Sequence, residues 1–130
     1  MVILDTNIII DHLRASKSGS ATLLMRLSEI KPKELLALSV ISVQELYTGQ
    51  STLDVQREQL LLGSIAPLKI LPYTYEVAHL AGMIARDLPR PIALADAAIA
   101  AATIINGGQL FTLNQKHFQG IENLEFMTIG

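Results

Sequence analysis

Three acidic residues in this chain sit where core residues would be expected. Asp5 ends the apolar opening of Val2-Ile3-Leu4-Asp5-Thr6-Asn7, Glu45 lies in Ile41-Ser42-Val43-Gln44-Glu45-Leu46, and Asp96 lies in Leu94-Ala95-Asp96-Ala97-Ala98-Ile99. Two carboxylates about 4–5 Å apart repel by roughly 3–4 kcal/mol at an effective dielectric near 20. A fold that gathers all three needs positive charge among them. A hard divalent cation with oxygen ligands meets that need, and its chemistry is the hydrolysis of phosphate esters. Each acid also has a plainer reading. Asp5 can cap a helix, Asp96 can favour the first turn of one, and Glu45 can be a solvated helix residue.

The elements that must position these residues follow from hydrophobic period and breakers. Val2 to Leu4 reads as a short strand, apolar without alternation, which suits a parallel sheet covered on both faces. Leu35 to Val40, Leu68 to Leu71 and Gln109 to Leu113 read as further strands, and Leu124 to Ile129 as an edge strand. Helical periods cover Thr6 to Leu13, Ala21 to Ile30, Ser42 to Tyr47, Asp54 to Ser64 and Thr74 to Leu88. Ala95 to Asn106 is apolar nearly all round and reads as a central helix ended by Gly107-Gly108. Ser16 to Ser20 reads as a polar loop and Asn114 to Phe118 as a surface turn. Strands alternating with helices predict an α/β fold, a sandwich about a parallel sheet. Ligands of such sheets gather beyond the carboxyl ends of the strands. Asp5, Glu45, Asp96 and Asn114 all fall on that edge.

Composition sets outer limits. The 130 residues suit one domain, read as 1–130, with 50% hydrophobic and 17% charged residues arguing for a packed core. No apolar run approaches the ~20 residues that span a bilayer. The opening Met1-Val2-Ile3-Leu4 lacks the pattern of a signal peptide, so no membrane association and a cytoplasmic location are expected. The chain has no cysteine, which excludes disulfides and thiolate metal sites. A net charge of −2 argues weakly against nucleic acid. If the acids cluster around a cation, however, the ten Lys and Arg residues dominate elsewhere.

Four segments carry a resemblance: Leu4-Asp5-Thr6-Asn7, Ser42-Val43-Gln44-Glu45-Leu46 with Gly49, Leu94 to Ala101, and Phe111-Thr112-Leu113-Asn114-Gln115-Lys116-His117-Phe118. They occur in the order seen in PIN domains, and the chain resembles more narrowly the VapC toxins of VapBC toxin–antitoxin pairs. The likeness nearly brackets the chain. It implies a three-layer sandwich with a short, mainly parallel central sheet and a Mg²⁺- or Mn²⁺-dependent endoribonuclease acting on RNA. It also implies a homodimer and a small antitoxin protein that holds the enzyme inactive. By motif position Asp5, Glu45 and Asp96 match the family's three metal-binding acids, and Thr6 matches a hydroxyl residue beside the first. Asn114 matches a fourth position that is Asp in many members. One departure stands out: His117-Phe118 replaces the Asp-Phe of many members, leaving a less negative pocket.

Thr6 and Thr112 read equally as hydroxyls that orient the acids or as residues that cap and pack. His117 reads as an exposed residue of a turn. Asp11 reads as solvated or paired, and His12 and His79 lack acidic partners in register. Arg14, Arg90 and Lys116 are candidate contacts to RNA phosphate. Two other functions compete. A different magnesium-dependent phosphate-processing α/β protein is one, but a phosphatase with an Asp nucleophile wants a second Asp where Asn7 stands. A non-catalytic binding module on the same scaffold is the other, and it has no use for the repulsion among the acids. The leucine-rich helices, including Leu60-Leu61-Leu62 and Ala21 to Ile30, offer apolar surface for a second copy of the chain.

Overall fold

A computed structural model describes residues 1–49 and 52–129. Five parallel strands form one sheet in the order β3-β2-β1-β4-β5. They are β1 (Val2–Leu4), β2 (Leu36–Ser39), β3 (Lys69–Leu71), β4 (Gln109–Phe111) and β5 (Glu125–Phe126). The helices are α1 (Thr6–Lys17), α2 (Leu23–Ile30), α3 (Val40–Thr48), α4 (Val55–Ile65), α5 (Tyr75–Asp87) and α6 (Leu94–Ile105), with a 3-10 helix at Gln115–Phe118. The predicted α/β sandwich is therefore the observed one. No helix among the described residues is long and apolar enough to cross a membrane.

Both faces of β1 are buried, and alternation along it separates two cores. Val2 and Leu4 pack with Ile8, Ile9, Leu27, Leu46 and Leu61 from α1 to α4. Ile3 turns the other way, with Ala37, Leu71 and Leu110, against Ile99 and Ala100 of α6. Outside that layer, α5 packs Val77 and Ala81 on Ala97, Ala101 and Ala102. The alanines explain the central position of α6, since small side chains let a helix approach both sheet and neighbour.

Two connections carry the chain outward from β1 to β2 and β3. The third returns it to β4 on the opposite side of β1, so the strand order reverses between β1 and β4. Open α/β sheets bind ligands at such a reversal, beyond the carboxyl ends of the strands. Val2 pairs with Gln109 and Leu4 with Phe111, which brings Asp5 and Thr112 side by side at the strand exits.

Several boundaries shift from the sequence reading for local reasons. Helix α1 continues through the expected loop to Lys17, and a positive φ of 74° at Gly19 follows. Helix α3 starts earlier, at Val40, because Ser39 caps it with Oγ accepting from Ile41 N at 3.2 Å. The last strand is reduced to Glu125–Phe126, since β4 beside it has only three residues to pair with.

Candidate active site

The candidate site lies where β1 and β4 end. Asp5 follows β1 and is 6% exposed. Its Oδ1 accepts from Thr6 N at 2.8 Å and its Oδ2 from Thr112 Oγ1 at 2.7 Å. Its pKa is raised, chiefly because burial disfavours the anion; the bonds from Thr112 and Thr6 and the charge of His117 oppose that shift. Asp5 thus immediately precedes α1, with both carboxylate oxygens bonded.

Thr6 Oγ1 lies 2.6 Å from Glu45 Oε1 and 2.8 Å from Ser42 Oγ. One hydroxyl proton serves only one of these, and the carboxylate is the stronger acceptor. Thr6 therefore donates to Glu45 and accepts from the Ser42 hydroxyl. Ser42 is buried and anchors this relay, a role that local patterning does not reveal. Glu45, on α3, is exposed, so Thr6 steers a carboxylate that water and ligands can reach.

Asp96 stands in the first turn of α6, which begins at Ala93 without a side-chain cap bond. Its side chain is 20% exposed. Burial raises its pKa most, the charges of Asp5 and Glu45 raise it further, and His117 and Arg90 lower it. Asp96 on α6 therefore feels the charge of Asp5 after β1 and of Glu45 on α3. No three His, Asp or Glu side chains among the described residues are drawn close enough to hold a metal ion by themselves.

Thr112 is the hub on the β4 side. Besides donating to Asp5, its Oγ1 accepts from Asn114 N at 3.0 Å and Asn7 Nδ2 at 3.4 Å. Asn7 Oδ1 in turn accepts from Leu113 N at 3.3 Å. Both threonines thus act on acids. The Asn114 amide is turned to His117, with Nδ2 2.8 Å from Nε2. His117, expected only as an exposed turn residue, is exposed but has Nδ1 3.7 Å from Asp96 Oδ2. Arg90 accounts for this placement. Its NH2 donates to His117 O at 3.1 Å and Gln119 O at 2.7 Å, fastening the 3-10 helix to the segment before α6.

Other candidates lie elsewhere. Asp11 Oδ2 accepts from Leu23 N at 3.3 Å, and His12 Nδ1 pairs with Thr22 Oγ1 at 2.7 Å; both fasten α1 to α2. Beside Glu45 a cleft of about 330 Å³ runs between α1, α3 and α4. Ile10, Leu13, Leu46 and Leu60 line it, with Arg14, Lys17 and Arg57 among them.

An open parallel sheet with acids gathered at its strand reversal is the architecture of α/β proteins that bind ligands beyond their strand ends. The PIN domain family matches residues 2–123, and the chain belongs to that family. Ribonuclease VapC10 of Mycobacterium tuberculosis, from strains CDC 1551 / Oshkosh and ATCC 25618 / H37Rv, is 32% identical over 128 residues, spanning 96% of this chain and 91% of the relative. VapBC-1 from nontypeable Haemophilus influenzae superposes with a TM-score of 0.76 at 27% identity, over 98% of this chain and 97% of that one. VapBC2 from Rickettsia felis, bound to a DNA fragment from its promoter, shares the fold with a TM-score of 0.85 at 24% identity over the whole of both chains.

Proposed function

We propose that residues 1–130 form one nuclease domain, a metal-dependent endoribonuclease that is the toxin of a type II toxin–antitoxin pair. The observation that carries this reading is the placement of two acids at the strand reversal, Asp5 and Asp96, where burial raises both pKa values and the charge of Asp5 raises that of Asp96 further. A site that disfavours its own anions is one that a cation stabilises. The donors fit Mg²⁺ or Mn²⁺: carboxylate, hydroxyl and amide oxygens predominate, and thiols are absent from the sequence. Mg²⁺ keeps several waters and needs only one or two direct carboxylates, so three tightly clustered acids are not required. When bound, the ion supplies a Lewis acid for the phosphoryl oxygens and eases deprotonation of the attacking water.

The chain's own residues divide the remaining work. Asp5, fixed at both oxygens, and Asp96, in the first turn of α6, would hold the ion. Glu45, exposed and steered by Thr6, holds the water and takes its proton. Thr112 keeps Asp5 in place, and Asn114 supports the pocket through His117. VapC10 is named a ribonuclease, which supports RNA as substrate.

The cleft beside Glu45, apolar with cationic side chains, supports an amphipathic antitoxin segment as occupant, as does the likeness to VapBC-1. Exposed Leu60 and Leu62 on α4 support a homodimer. The absence of cysteine supports action in the cytoplasm. The test is cleavage of cellular RNA by the purified chain with Mg²⁺ or Mn²⁺, read by mapping new 5′ ends. Asp5→Asn is expected to slow cleavage by about 100-fold or more. Equal cleavage by the variant removes the enzymatic reading, and binding of a partner without any cleavage favours the module.

A further inference from the structure

Asn7 is the second residue of α1 and is half-buried. Its side chain ties α1 to the exit of β4. Oδ1 accepts from Leu113 N at 3.3 Å, and Nδ2 lies 3.4 Å from Thr112 Oγ1. Both contacts are long, but together they fix the direction of the amide. A backbone N–H can only donate, so Leu113 decides which end of the amide is the oxygen. The end that faces Thr112 is then the NH₂ group, which can only donate.

The consequence falls on Thr112. A hydroxyl has one proton and two lone pairs. Asn114 N, 3.0 Å away, takes one lone pair and Asn7 Nδ2 the other. The proton is left for Asp5 Oδ2, at 2.7 Å the shortest of the three contacts. Without Asn7 the hydroxyl can turn its proton elsewhere. An aspartate at position 7 would still accept from Leu113 N, but it would set a second carboxylate against Thr112, and one proton cannot serve both. An amide on a short stem offers the acceptor and the donor together, so the residue type suits this double task. The Glu45 side is built alike, with Ser42 donating to Thr6 and leaving the Thr6 proton for the carboxylate.

We infer that Asn7 is a positioning residue for Asp5, directing the Thr112 hydroxyl proton onto the Asp5 carboxylate. Its effect on cleavage rests on the ribonuclease reading above.

A double-mutant cycle with Thr112→Val tests it, since valine leaves no oxygen for Asn7 to act on. Asn7→Ala is expected to lower kcat about tenfold in the otherwise wild-type chain and less than about twofold beside Thr112→Val, with KM for RNA unchanged. Asn7→Asp, which keeps the Leu113 contact but not the donor, is expected to lose as much as Asn7→Ala. Equal losses in both backgrounds, or wild-type cleavage by either variant, overturn the inference and leave the nuclease reading standing. The carbon-13 shift of the Asp5 carboxyl, read at neutral pH in chelator, needs no activity and no double variant. Asn7→Ala is expected to move it in the same direction as Thr112→Val, and an unmoved resonance overturns the inference. A moved resonance in a protein whose wild type cleaves no RNA supports the positioning role and overturns the nuclease reading alone.

Discussion

Asp96 carries opposed demands of stability and function. Its unfolded value is the ordinary 3.8 and its folded value is higher, because burial and the charges of Asp5 and Glu45 disfavour the anion. Below 3.8 the folded and unfolded states both keep the proton, and this group's contribution to stability is fully present. As pH rises through the folded value, the fold loses that contribution. Asp96→Asn is therefore expected to melt above wild type at pH about 7 in chelator, to lose that advantage near pH 3, and to cleave RNA at least about 100-fold more slowly. Thr112→Val removes a donor that lowers the Asp5 pKa. It is expected to cost about 1–3 kcal/mol in chemical denaturation at neutral pH, the worth of a hydrogen bond to a charged group. Of the site residues, the acids were legible in the sequence because an acid within an apolar run has few structural uses. Ser42 and His117 were not legible. Their roles depend on contacts across the fold, Ser42 to Thr6 and His117 to Asp96, and local patterning carries no information about such distances.

Among the elements, the strands and the central helix were legible because their apolar runs and punctuation agree. Gly107-Gly108 shows why the punctuation matters. Gly107 ends α6 with φ at 65°, and a Cβ on Gly108 would lie 2.9 Å from Met1 O and against the Ile3 side chain. Gly108→Ala is expected to destabilise the protein by about 1–3 kcal/mol, measured by urea unfolding, because β4 could no longer lie close to β1. Helix ends were less legible. Capping by Ser39 and the run of α1 to Lys17 are decided by single hydrogen bonds and by where a positive φ is tolerated. Likewise Arg90, flanked by prolines, reads as a candidate phosphate contact, and in the fold it also fastens the turn after β4. A cationic side chain in a loop looks the same in sequence whether it meets solvent, RNA or a carbonyl.

For the whole molecule, the sheet order places the ends of β1 and β4 side by side and leaves apolar and cationic surface on α1 and α4. Replacing Leu60 and Leu62 by Gln is expected to shift sedimentation from dimer to monomer, and coexpression with a neighbouring antitoxin gene to yield a copurifying small protein. Neither partner surface was legible beyond a surplus of leucine, since exposure is fixed only once the helices are packed. If acids distant in sequence share one cation, as proposed, binding that ion must stabilise the whole fold. Thermal unfolding with increasing Mn²⁺ measures this most directly. At 100-fold excess over the dissociation constant the gain is about 2.7 kcal/mol, or about 10 °C in Tm. Wild type is predicted to show that rise, and Asp5→Asn and Asp96→Asn to lose it. A wild-type Tm that does not move, or one that rises equally in the two variants, would contradict the account.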